Sequence, residues 1–304
     1  MSLKNENLKH IICTIDDNYV QHFIVMLLSL FKSNHHNVFH IFILTNQLNP
    51  LNLKIIRHFF RFKKHSFEIK YVDETLLKDA PVYGHVSLAT YYRLLIPLLL
   101  PIEIEKVLFL DSDIIIVENI EQLWDFDVSI YSHIAVENCG DNKPFIEKLE
   151  IPSSSKYFNA GIMLINLNWW RSNDVYSKSI DYLKSHLERI TFWDQDLLNA
   201  ILYNDWFEFP LSYNAQSFLF SENTKFYSNK EKEAINSPKI IHFTGGGDSK
   251  PWYYSNGHPY KNVYQYYLSK SVFKNALPIG KPILKKLTLR DKFYLLRKKI
   301  INNQ

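Results

Sequence analysis

The sequence predicts an α/β protein with a mostly parallel central sheet and helices on both faces. Three observations predict it. Short apolar runs alternate with helical periodicity from residue 10 to residue 72, the pattern of parallel strands joined by crossover helices. A run of apolar β-formers at 107–117 reads as a buried central strand, although Asp111 and Asp113 interrupt it. Residues 157–167 turn from polar to apolar and read as a further strand.

The elements follow in order. Residues 10–15 form the first strand, and 20–32 form a long helix with an apolar stripe. Residues 38–45 are the second strand. Asn49 and Pro50 are suitable N-cap and N1 residues for a helix over 51–62. Alternation predicts a third strand at 67–72. A helix over 87–95 carries Tyr92 and Arg93, and the fourth strand, 107–110, ends at Asp111. Further on, the reading is coarser: a short helix at 121–124, a strand at 133–137, a serine-rich loop at 152–156, a helix over 169–187 and another over 197–203.

Composition bounds the function. A chain of 304 residues suffices for one large α/β domain with an appendage. The division expected is a catalytic domain over 1–270 and a basic tail over 271–304. There are only eight glycines, and neither G-x-G-x-x-G nor G-x-x-x-x-G-K-[ST] occurs, which argues against a Rossmann dehydrogenase and a P-loop NTPase. Two cysteines suggest no disulfide framework and a reducing compartment. The polar start has no apolar core of a signal peptide, and no apolar run reaches the length of a membrane span. A cytoplasmic protein is expected, with no nucleic acid among its partners.

Asp111 and Asp113 carry the first chemical signal. Residues i and i+2 of a strand point to the same side, so both carboxylates can converge on one point. Asp-x-Asp alone is common, but aspartates rarely interrupt a buried run unless paired or liganded. A hard divalent cation relieves their repulsion, Mn²⁺ or Mg²⁺, with open positions for substrate phosphates.

Other candidates have plainer readings beside the functional one. Asp16 or Asp17 at a strand-to-helix junction is an N-cap in the plain reading. In the functional one, Asp16, Asp17 and Asn18 line the crevice at the carboxyl end of a parallel strand, where they can meet a base edge, and Tyr19 stacks on the base. Arg93 is a salt-bridged arginine or a hand on a sugar or phosphate. Asn159 and Gly161 mark an ordinary turn or a backbone closely approached by a ligand. Asp194 or Asp196 is an N-cap candidate. His242 follows two isoleucines like a core histidine, but Gly245, Gly246, Gly247 and Lys250 come after it. Such glycines let backbone N–H groups approach an anion, and a neutral imidazole can complete an oxygen-rich Mn²⁺ site.

Together these residues resemble glycosyltransferase family 8, the retaining nucleotide-sugar transferases that include bacterial lipopolysaccharide galactosyl- and glucosyltransferases and glycogenin. The match is carried by Asp16-Asp17-Asn18-Tyr19, Tyr92-Arg93, Phe109-Leu110-Asp111-Ser112-Asp113, Phe158-Asn159-Ala160-Gly161, Asp194-Gln195-Asp196, and His242 with Lys250-Pro251-Trp252, in family order. The resemblance implies a GT-A fold and Mn²⁺-dependent transfer from UDP-galactose or UDP-glucose to a glycan or lipid-linked glycan, such as lipopolysaccharide core. It implies Asp111, Asp113 and His242 as metal ligands. Asp16, Asn18 and Tyr19 would hold the uridine, with Thr14 also in the donor-binding set, and Lys250 with the glycine loop would hold the diphosphate. Ser112 joins the donor-binding set. Arg93, Asn159, Asp194 and Gln195 would surround the donor sugar, with Asp194 and Gln195 as the catalytic candidates. The family usually reads His-x-x-Gly-x-x-Lys-Pro-Trp. Here two extra residues intervene, so Gly245 and Gly247 are both diphosphate candidates.

Two other classes remain open on the sequence: a UDP-sugar binding protein without transfer activity, and a metal-dependent nucleotidyltransferase. At the end of the chain, Leu289, Phe293, Leu296 and Ile300 form one helical stripe among many Lys and Arg residues. Such a segment either docks on the domain or lies on the anionic inner face of the cytoplasmic membrane.

Overall fold

A computed structural model describes residues 8–78, 80, 87–221 and 228–280. The opening alternation is present as expected. Strand β1 (Leu8–Thr14), helix α1 (Val20–Ser33), β2 (Val38–Thr45), helix α2 (Pro50–Phe60) and β3 (Ser66–Tyr71) follow one another. Asn49 caps α2 by accepting from the Asn52 N–H at 2.8 Å, with Pro50 behind it.

The larger sheet also contains β4 (Lys106–Leu110), β6 (His133–Glu137), β7 (Phe158–Asn166) and β8 (Trp206–Glu208). Its strand order is β3-β2-β1-β4-β7-β6-β8, and only β7 runs against its neighbours. The three central residues of β1 show why the sheet is covered on both faces. Ile11 and Cys13 join a core with Phe23, Leu27 and Leu30 of α1. Ile12 points the other way, into a core with Tyr92, Trp170 and Leu198. Burying both sides of a strand requires a continuous apolar run, which is what 11–13 supply.

A second sheet of three strands stands beside the first, with β5 (Ile114–Ile116), β9 (Ala215–Gln216) and β10 (Ile240–His242) in the order β5-β10-β9. The run at 107–117 is therefore two strands in two sheets. Asp111 follows β4 and donates its N–H to Gly161 O at 2.9 Å, while Asp113 precedes β5 and accepts from the Phe243 N–H at 3.0 Å. The aspartates converge because the chain turns between sheets here, and strand alternation is not the cause.

Other elements differ from expectation for local reasons. Residues 87–95 contain a 3₁₀ helix, Leu88–Leu95, which runs into a short α-helix with Pro97 in its first turn. Pro97 has no N–H to continue an α-helical ladder. The helix expected over 169–187 is broken into Leu167–Ser172 and Val175–Ser185, because Asp174 adopts φ 47° and caps the second piece. At the end of the described chain, Ile279 donates to Trp252 O at 2.9 Å and accepts from the Tyr254 N–H at 2.8 Å, tying 271–280 to the preceding residues. The basic stripe at 289–300 lies outside the described residues. Among the described residues, no helix is long and apolar enough to cross a membrane.

Candidate active site

The site lies at the carboxyl ends of β1 and β4, where open α/β sheets place their ligand crevices. Two cavities meet there. One, of about 230 Å³, is lined by Thr14, Asp16, Asn18, Tyr19 and Ser112. The other, of about 550 Å³, is lined by Asn159, Gly161, Asp194, Gln195 and His242, together with Phe192, Trp193 and Phe218. Arg93, Asp111, Asp113, Gly245 and Lys250 line both.

At the junction stand Asp111, Asp113 and His242. One ligand atom from each lies within 4.8 Å of the others, and among the described residues no other group of three His, Cys, Asp or Glu side chains is so placed. His242 Nε2 is 3.3 Å from Asp113 Oδ1 and 3.8 Å from Asp111 Oδ2. Gly161 makes room for this: a Cβ built there would lie 2.3 Å from His242 Cε1 and 2.6 Å from Asp111 Oδ2. The close approach expected at Gly161 is thus made by two protein side chains.

The cationic side chains pull the two aspartates apart electrostatically. Burial raises Asp111 to about 6, against the attraction of Arg93 and His242. Burial acts on Asp113 in the same sense, but the Lys250 ammonium and His242 outweigh it and hold that carboxyl well below the usual range. Lys250 Nζ pairs with Asp113 and donates to Phe243 O at 2.6 Å.

Arg93 is buried beneath the junction, where it makes ion pairs and also lines both cavities. Nη2 lies 3.0 Å from Asp111 Oδ1, Nε lies 2.7 Å from Asp194 Oδ2, and Nη1 donates to Ala160 O at 2.5 Å. Asp194 is buried, also accepts from Thr90 Oγ1 at 2.6 Å, and is raised by its burial against the pull of Arg93.

Neither Asp194 nor Asp196 is an N-cap. The helix Trp193–Leu202 has Phe192 at that position, without a side-chain cap. Asp196 instead reaches back from inside the first turns to accept the N–H groups of Thr191 and Phe192, each at 2.6 Å. The residue at the N-cap of α1 is Tyr19, so neither Asp16 nor Asp17 caps it. Asp16 Oδ1 accepts from Asn18 N at 2.9 Å and Tyr19 N at 3.1 Å, which shapes the wall of the smaller cavity. Asp17 turns away to Asn49 and Asn52. The Ser112 hydroxyl is buried and has no partner among the described residues. Gly245, at φ 88°, faces the cleft, whereas Gly247 lines neither cavity.

Two site residues carried no motif. Asn214 sits beside His242, with Oδ1 3.0 Å from Nδ1, and donates to Asn159 Oδ1 at 2.9 Å. Tyr157 hydroxyl accepts from Gln195 Nε2 at 3.2 Å and donates to Asp196 Oδ1 at 2.5 Å. The one signal for Asn214 was a polar residue in a stretch that the core absorbs.

Residues 10–256 match the family described as Glycosyl transferase family 8. The chain belongs to glycosyl transferase family 8. Among curated proteins, it is 30% identical over 290 residues to General stress protein A of Bacillus subtilis strain 168, covering 93% of this chain and 99% of that protein. It is 31% identical over 209 residues to the lipopolysaccharide 1,3-galactosyltransferase of Salmonella typhimurium strain LT2, covering 65% of this chain and 58% of that enzyme. Among solved structures, the galactosyltransferase LgtC, in complex with donor and acceptor sugar analogues, superposes with a TM-score of 0.78 at 20% identity, covering 86% of this chain and 96% of that one. The family 8 chain therefore has the GT-A type fold, and it is a glycosyltransferase related to lipopolysaccharide glucosyl- and galactosyltransferases.

Proposed function

We propose that this family 8 member is a retaining hexosyltransferase that moves galactose or glucose from a UDP-sugar to a glycan acceptor. The observation that carries the reading is the meeting of two cavities at the Asp111, Asp113 and His242 cluster, beside Lys250. The smaller cavity suits a nucleoside and the larger a sugar with its acceptor. The donor set fits a hard divalent cation, Mn²⁺ before Mg²⁺. It offers two carboxylates and an imidazole at ligand spacing, over a residue without a Cβ. Such an ion, held by these three residues, would supply Lewis-acid stabilisation of charge on the leaving diphosphate.

This chain's own groups do the rest. Thr14, Asp16, Asn18 and Tyr19 hold the uridine, and Ser112, Gly245 and Lys250 face the diphosphate. The bond from the anomeric carbon to the β-phosphate oxygen breaks, and a bond to the acceptor oxygen forms on the same face. The acceptor proton passes to a β-phosphate oxygen, and Lys250 stabilises the charge that develops there. A covalent route needs a carboxylate nucleophile beneath the anomeric carbon. Gln195 is no such nucleophile, and Asp194 is already paired with Arg93. A short-lived ion pair on the front face is therefore favoured, with Asn159, Asp194 and Gln195 orienting the sugar.

The names of the relatives in lipopolysaccharide synthesis support a cell-surface glycan as acceptor. The basic segment 281–304 would bring the enzyme to an anionic membrane, and its removal should abolish vesicle binding while donor hydrolysis persists. The test is product release from a panel of UDP-sugars with and without a chelator. Metal-dependent UDP release from one hexose donor supports the proposal. Pyrophosphate release would instead make the protein a nucleotidyltransferase, and binding without turnover would make it a binding protein.

A further inference from the structure

We infer that Asn214 is a positioning residue that fixes which nitrogen of His242 carries the proton, and so aims a bare Nε2 at the aspartate pair. The inference rests on the metal reading for its purpose, but not for its geometry.

Two backbone N–H groups of β7 fix the polarity of the neighbouring amides. A backbone N–H can only donate, so the atom it meets must be an acceptor. Ala160 N lies 3.1 Å from the Gln195 amide, which makes that atom Oε1. Gly161 N lies 3.1 Å from the Asn159 amide, which makes that atom Oδ1. Asn159 Nδ2 then meets Gln195 Oε1 at 3.2 Å, donor to acceptor, so the two assignments agree.

The polarity now runs on to His242. Asn159 Oδ1 meets the Asn214 amide at 2.9 Å and can only accept, so the Asn214 atom there is Nδ2. Asn214 Oδ1 is left to face His242 Nδ1 at 3.0 Å. An amide oxygen cannot donate, so Nδ1 must carry hydrogen. In the neutral imidazole the lone pair then sits on Nε2, the atom nearest Asp113 Oδ1 and Asp111 Oδ2. Asn214 and His242 are both buried, so water does not compete for these contacts. Partners of this kind set the orientation and tautomer of metal-bound histidines. The same chain links His242 to Gln195 through Asn214 and Asn159, so the metal side and the sugar side of the cleft share one hydrogen-bond polarity.

The experiment is imidazole ¹⁵N NMR on the metal-free full-length protein, with His242→Ala to assign the signal, followed by Mn²⁺ titration read by EPR. Wild type should show hydrogen on His242 Nδ1, toward Asn214 Oδ1. In Asn214→Leu, the proton should shift toward Nε2, where Asp113 accepts it, and Mn²⁺ affinity should fall about ten- to a hundredfold. Asn214→Asp has the same shape, keeps an acceptor toward Nδ1, and should keep the Nδ1–H tautomer even if Asn214→Leu does not fold. A folded Asn214→Leu with the wild-type tautomer, or Asn214→Asp with the proton on Nε2, would overturn the inference. If His242→Ala left Mn²⁺ affinity unchanged, the metal reading would fail, and the tautomer would still decide the role of Asn214.

Discussion

Gly161 and His242 touch so closely that no side chain fits between them: a Cβ on residue 161 would lie 2.3 Å from His242 Cε1. Gly161→Ala must therefore push the imidazole or Asp111 out of place. Overpacking of this kind costs about 1–3 kcal/mol. The expected result is a lowered melting temperature and, if the cluster holds Mn²⁺ as proposed, an affinity reduced at least about tenfold, because at least one of its ligands is displaced. Thermal denaturation and metal titration on the same variant check both.

Arg93 balances two carboxylates at once, and Asp194 is 4% exposed. Removing the arginine leaves that buried charge without its cation, a change that costs about 3–5 kcal/mol. Arg93→Met should shift the urea midpoint downward at constant m. Arg93→Lys should recover only part of the loss, because an ammonium cannot reach Asp111, Asp194 and Ala160 O together. Wild-type stability in Arg93→Lys would show that charge alone suffices.

Lys250 pairs with Asp113 and lines both cavities. If its ammonium stabilises the leaving diphosphate, Lys250→Met should lower kcat by about 10²–10³, the scale for losing one such electrostatic contact. Steady-state UDP release measures this. A change confined to KM would assign Lys250 to ground-state binding.

Burial sets a pH limit on the fold. His22 and His133 are both buried, and burial lowers each from 6.5 to about 3. Their folded values lie below the unfolded one, so the unfolded chain binds more protons between pH 6.5 and 3. Stability is full above pH 6.5 and falls as pH drops through that window, by up to about 1.4 kcal/mol per unit for each histidine. Urea unfolding between pH 7.5 and 5 should show the slope, and His133→Phe should flatten it.

The opening of the fold was legible because its signals are local. Residues 8–71 alternate strand and helix with capping and periodicity intact, as Asn49 and Pro50 illustrate. The short strands β8 and β9, with three and two residues, have no periodicity to read. The second sheet hides inside the run at 107–117, since Ile114–Ile116 look like a continuation of Val107–Leu110 until the chain is seen to turn. The helix Asn229–Asn236 had a readable capping box, Ser228 with Glu231, but little apolar surface to attract notice.

The candidate site was legible wherever chemistry was written in side chains, as at Asp111, Asp113 and His242, which the structure brings to one point. Gly161 could be singled out, but what approached it could not. Asn214 was not legible, because its role depends on a contact 28 residues away in the chain. The two extra residues before Lys250 left the glycine question open. The structure puts Gly245 in the cleft and Gly247 outside it.

The most direct test of the central claim is calorimetric titration of UDP into wild type and Asp113→Asn, with and without Mn²⁺. Wild type should bind UDP tightly only when Mn²⁺ is present, and Asp113→Asn should lose that metal dependence. UDP binding of equal strength with and without Mn²⁺, or none in either condition, would contradict a metal-diphosphate site at the Asp111, Asp113 and His242 cluster.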